Sequence, residues 1–176
     1  MVLNPFTLRD LARIAPFAPT LRVVADEFTL DPFMFAALGL RESGLTYGRG
    51  YSPKGSIIGW GDHENGFGPF QIDKRYHAAF INSSAATFLP AQARYAAGLL
   101  SSSRRRVRKH FPLLSGLLVV KAYLCAYNAG FHRVKMALTD GKDPDSVTTG
   151  ADYSIWILRK ATVLRKARPS LFSVVT

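Results

Sequence analysis

Apolar side chains recur at helical spacing along most of this chain, and the interruptions fall on proline, glycine and aspartate. Thr7-Leu8-Arg9-Asp10 reads as a capping-box-like start and predicts a short helix over residues 8–15, ended by Pro16 and Pro19. Pro19 and Thr20 open a second helix to about Phe28, with Leu21, Val24 and Phe28 at helical spacing. Asp31 is a good N-cap, and Pro32 suits the first helical position because its missing N–H is unbonded there anyway. Phe33 to Leu38 and Leu40 are apolar all round, which predicts a buried helix closed by Gly44. Glu42 falls in its last turn.

The pattern then changes. Residues 45–60 are rich in Gly, Tyr and Ser, carry Arg49 and Lys54, and predict an exposed loop. Asn65-Gly66 is a type I′ hairpin signal, with Phe67 to Ile72 as the returning strand. Helical periodicity resumes over residues 90–109, with Ala93, Ala96, Ala97 and Leu100 on one face and a basic end. Residues 113–127 are nearly all apolar and predict a central buried helix closed by Gly130. His132 to Leu138 form a short helix, and Asp140, Gly141, Asp143 and Pro144 a turn. The last amphipathic helix covers residues 151–167, with Ile155, Leu158, Thr162 and Leu164 or Arg165 near one face. The fold class is therefore α+β and predominantly α-helical. With no repeat or linker, residues 1–176 are expected to form a single domain.

Composition narrows the partners. Lys and Arg number 23 against 12 Asp and Glu, giving a net charge of +11. That balance suits an anionic partner, whether nucleic acid, an anionic membrane or an anionic cell wall, or it simply keeps the protein soluble. Five basic residues lie between Arg104 and Lys109. They suit the negative end of a helix, and they also suit wall polymers or lipopolysaccharide. Nucleic acid is disfavoured because no aromatic platform interleaves the run. The lone Cys125 excludes an intrachain disulfide and fits a reducing compartment. Met1 is followed by VLNPFTLRDLAR, without a basic start, an apolar core or a small-residue cleavage site. The expectation is synthesis in the cytoplasm without a signal peptide. The apolar stretch Phe111 to Val120 is too short to span a bilayer. His63, His110 and His132 are not spaced as a metal site with Cys125, so neither metal nor cofactor is expected.

The candidate chemistry lies between Arg41 and His77. Glu42 ends an apolar helix, and Asp62 and Asp73 flank a glycine-rich aromatic turn, GWGDHENGFGPFQID. Glycoside hydrolysis needs such a set: one carboxylic acid to protonate the leaving oxygen, and a carboxylate opposite to activate water or attack the sugar. A helix C-terminus and apolar neighbours both disfavour the charged form of Glu42, as a general acid requires. Trp60, Phe67 and Phe70 offer flat faces for sugar rings. The bland alternatives are ion pairing of Glu42 with Arg41 or another base, turn capping by Asp62, and a salt bridge from Asp73 to Lys74 or Arg75.

RES at 41–43 and the GWGDxxNGFGxxQxDKRxH pattern beyond it resemble goose-type lysozymes, glycoside hydrolase family 23. LCAYNAG at 124–130 and TTGADYS at 148–154 extend the resemblance to roughly residues 20–167. It implies a lysozyme-like fold, with a central buried helix and a small antiparallel hairpin beside the active-site cleft. It also implies hydrolysis, with inversion, of the β-1,4 bond between N-acetylmuramic acid and N-acetylglucosamine in peptidoglycan glycan strands. Glu42 matches the general acid, and Asp62 and Asp73 match the acids that position or activate water. His77, Tyr127, Asn128 and Tyr153 match positions lining the sugar-binding cleft, with Gln71 and Phe70 shaping its floor. The rivals are a lytic transglycosylase, which gives 1,6-anhydro-muramyl products, and a non-catalytic basic wall-binding module. The segment from Glu42 to Asp62 is longer than in vertebrate members, Pro69-Phe70 replaces a more usual Leu-Met pair, and the animal disulfides and signal are absent. These departures point to a phage or bacterial endolysin-like monomer that reaches the wall through a pore or lysis.

Overall fold

The computed structural model describes residues 4–45, 60–61 and 64–173, with the backbone alone at 60–61. The predicted loop over residues 45–60 lies outside the described residues except at its two ends. The chain divides into two compact units, Met1–Ala97 with Lys160–Thr176, and Gly98–Arg159.

The first unit opens with α1, Pro5–Ile14, a 3-10 turn, and α2, Ala18–Glu27. The start of α1 lies three residues ahead of the prediction. Its cap is Asn4, whose Oδ1 accepts the Phe6 N–H at 2.8 Å, with Pro5 in the first turn. Helix α3, Pro32–Ser43, matches its sequence signals closely. Asp31 Oδ1 accepts the N–H groups of Phe33 (2.9 Å) and Met34 (3.1 Å). Every residue from Phe33 to Leu40 is buried, at about 1.5–3 kcal/mol for each large apolar side chain. Gly44 ends the helix in the left-handed conformation, and Leu45 turns back so that its N–H reaches the Gly39 carbonyl at 3.2 Å.

A three-stranded antiparallel sheet comes next, in the order β1 (Trp60–Gly61), β2 (Gly66–Phe67) and β3 (Ile72–Asp73). The hairpin at residues 65–66 is corrected in two ways. Gly66 pairs with Gly61 within the ladder, so it is a strand residue and the connection is longer. The returning strand also does not run unbroken from Phe67 to Ile72. Gly68 and Gln71 both adopt positive φ, and the chain reverses again to bring Gly66 opposite Asp73. Helix α4, Lys74–Ile81, has no counterpart in the sequence pattern; it is only 8 residues long, has no buried residue and kinks at His77. The start of α5, Leu89–His110, completes this unit together with the end of α8 and a 3-10 turn over Pro169–Phe172.

The second unit holds the rest of α5, α6 (Gly116–Ala129), α7 (Phe131–Thr139), two 3-10 turns and the start of α8 (Tyr153–Ala167). Helix α6 is the predicted apolar helix shifted by a few residues, and its buried stretch is Val119 with Lys121 to Ala126. Helix α8 turns a different face inward from the one the sequence suggests. Tyr153, Ser154, Ile157, Ala161 and Leu164 are buried, Ile155 and Leu158 are half-buried and Thr162 is exposed. Packing selected the stripe that carries small residues.

Candidate active site

In the first unit, the end of α3 is bonded to the turn that leads into β3. The Ser43 hydroxyl donates to the Pro69 carbonyl at 2.9 Å. Glu42, its neighbour, is half-buried in the last turn of α3. The Phe70 ring is fully buried and stacks on Phe35 of the same helix, with centroids 4.8 Å apart. Phe67 is buried as well. The sequence suggests open faces for sugar rings at both positions; in the structure both rings are buried and join the core that supports the turn. The Trp60 side chain and the whole of Asp62 lie outside the described residues, as does His63.

Gln71 stands over the strand. Its Nε2 donates to the Gly68 carbonyl at 2.8 Å, and a Cβ on Gly66 would lie 2.4 Å from its Oε1. Gly66 is therefore needed for close approach of this side chain, and Gly68 both for φ +75° and for the Gln92 amide against it. Gln92 is fully buried and donates to the Ala86 carbonyl at 2.9 Å.

Asp73 ends β3 and caps α4. Its Oδ1 accepts the Arg75 N–H at 2.8 Å and Arg75 Nε at 2.9 Å. The hydrogen bonds from the Arg75 guanidinium hold the Asp73 carboxyl below the ordinary carboxylate range, against a smaller opposing effect of burial. This is the bland alternative among the sequence readings of Asp73, and it leaves the carboxylate ionised. His77 sits at the kink of α4, where Tyr95 Oη and its Nδ1 share a 3.1 Å hydrogen bond. Partial burial pushes the imidazole below its ordinary pKa, more than the nearby Asp73 raises it.

In the second unit, Tyr127 is half-buried near the end of α6 and Asn128 is exposed. Asn128 Oδ1 accepts the Thr149 N–H at 3.2 Å, tying AYNAG to TTGADY. Tyr153 is 2 % exposed, which makes its ring part of the core of this unit rather than an open wall. Beneath these motifs lies a buried polar network that sequence reasoning missed. The Asp145 carboxylate accepts from Ser154 N (2.7 Å), Ser154 Oγ (2.6 Å) and Cys125 Sγ (3.2 Å), with Lys121 Nζ at 3.7 Å. Burial raises the Asp145 pKa, but the Ser154 and Cys125 hydrogen bonds and the Lys121 charge outweigh it and hold it below the ordinary value. The Cys125 thiol is pushed up to about 12 by burial and by Asp145, so it is no nucleophile. The available signal was Lys121 itself: a lysine inside an apolar helix requires a carboxylate nearby.

A half-buried glutamate in the last turn of a helix, whose next residue Ser43 bonds the turn ahead of an ionised aspartate, is an arrangement suited to acid–base chemistry. The family model for lysozyme g matches residues 4–167. The chain belongs to the lysozyme g family. It is accordingly a glycoside hydrolase, a lysozyme that cleaves peptidoglycan. It is 28% identical to Lysozyme G of Dromaius novaehollandiae, over 87% of this chain and 68% of that protein. Lysozyme g of Gallus gallus is 29% identical over 90% of this chain and 68% of its own length. Lysozyme g of Cyprinus carpio is 30% identical over 89% and 76%.

Proposed function

We propose that this lysozyme g family member hydrolyses the β-1,4 bond between N-acetylmuramic acid and N-acetylglucosamine with inversion of the anomeric centre. Glu42 is the general acid, and Asp62 and Asp73 hold and activate the attacking water. The observation that carries this reading is the Ser43–Pro69 hydrogen bond of 2.9 Å, which joins the end of the Glu42 helix to the turn ahead of Asp73. A fixed spacing between acid and base is what an inverting site needs, about 6.5–9.5 Å to admit the water. Within the first unit His77 and Gln71 contribute sugar contacts; taken by itself, the second unit offers Tyr127 and Asn128 for the same role. Tyr153 supports them from within its core. The protein works as a phage or bacterial lytic enzyme, made in the cytoplasm and acting on the wall after release.

Glu42→Gln is expected to lower kcat on purified cell walls roughly 10²–10⁴-fold with an unchanged circular dichroism spectrum. Mass spectrometry of the wild-type digest should show reducing muramic acid ends, and proton NMR the α-anomer first. Full activity in Glu42→Gln removes the acid assignment, and 1,6-anhydro ends make the enzyme a transglycosylase instead.

A further inference from the structure

The end of α5 and the turn after it present a patch that wall hydrolysis leaves unused. Successive helical positions rotate by about 100°, so Arg105, Arg108 and Lys109 share one face, opposite the fully buried Val107. All three cations are exposed, and among the described residues no carboxylate pairs with them. Arg108 and Lys109 suit the negative helix end. That effect does not account for the leucines beside them. Leu113 in the turn is 96% exposed, Leu117 in the first turn of α6 63% and Leu118 38%. Single exposed leucines are ordinary, but three within six residues, following closely in the chain on three exposed cations, give one short segment both exposed positive charge and exposed apolar surface.

We propose that this surface docks the protein on an anionic phospholipid bilayer. The cations lie at the headgroups, and Leu113 and Leu117 enter the boundary with the acyl chains. Charge alone would suit any polyanion. A hydrated wall polymer or a nucleic acid offers the leucines no hydrocarbon, whereas a bilayer does so just beneath its phosphates. No described helix is long and apolar enough to cross a membrane, so the contact is peripheral. The net charge of +11 supplies the long-range attraction.

Co-sedimentation of the full chain with vesicles tests this, comparing phosphatidylcholine containing phosphatidylglycerol with phosphatidylcholine alone. Binding is expected on the anionic vesicles only and is weakened by high salt. The triple variant Arg105→Gln, Arg108→Gln, Lys109→Gln should lose roughly 100-fold in partitioning, about fivefold for each cation removed. The double variant Leu113→Ser, Leu117→Ser should lose roughly 10-fold or more. Circular dichroism checks that each variant is folded. Absence of binding to anionic vesicles at low salt overturns the proposal. So does parental binding in the leucine double variant, because charge alone would then suffice.

Discussion

Asp73 and Arg75 set the electrostatics of the candidate base. The guanidinium keeps Asp73 ionised to a pH below the usual carboxylate range. If Asp73 is the base, the acid limb of the kcat/KM profile lies below that range too. Arg75→Ala removes the hydrogen bonds, so the Asp73 pKa rises and the acid limb should move to higher pH. A limb that stays in place assigns the base elsewhere, with Asp62 the alternative. A second prediction concerns Asp145. Replacing it by Ala leaves Lys121 with Asp143 as its carboxylate partner, and leaves the Ser154 N–H and hydroxyl and the Cys125 thiol without their acceptor. Leaving these buried donors unsatisfied costs about 1–3 kcal/mol, measurable by urea unfolding of the full chain, and a loss under about 0.5 kcal/mol would show the network to be incidental. The wild-type contribution has a definite pH sense. Because the folded carboxyl titrates below its unfolded value, the stabilisation is complete above about pH 4 and disappears as pH falls through the folded pKa.

At the scale of elements, α3 and the sheet differ in how local their causes are. The helix has Asp31 at its start, Gly44 at its end and an apolar run between, and all three signals are local. They are legible in the sequence for that reason, and with them the position of Glu42. The sheet is built from two-residue strands whose register depends on contacts elsewhere: Gln71 over Gly66, and Gln92 against Gly68. No period-2 pattern can emerge from strands of that length, so the sequence places the hairpin correctly in the chain but wrongly in register. Helix α4 escapes a sequence reading because its exposed positions carry no apolar stripe. The same geometry makes Gly66→Ala a test. The added Cβ pushes the Gln71 amide away from the Gly68 carbonyl that it donates to, so the variant should lose about 0.5–1.5 kcal/mol of stability. Thermal unfolding reads the stability, and an unchanged midpoint would mean that Gln71 moves aside freely.

For the molecule as a whole, charge is the property that composition states most plainly. At +11, attraction to anionic walls is screened as the Debye length shrinks from about 10 Å at 0.1 M salt. Lysis of intact walls should therefore fall steeply between low and high salt, while cleavage of short uncharged chitin oligomers changes little. Equal salt responses for the two substrates would separate the charge from substrate capture. The sequence by itself determined the family, the helical class, the caps of α3 and the placement of Glu42 at its end, because motifs and caps act between residues close in the chain. Tertiary structure alone decided which face of α8 turns inward, that Phe70 and Tyr153 are core residues, and that Asp145 gathers Lys121, Cys125 and Ser154. Each of these depends on which groups lose their water together. Desolvation of that kind is settled by packing between segments far apart in the chain, and no local pattern records it.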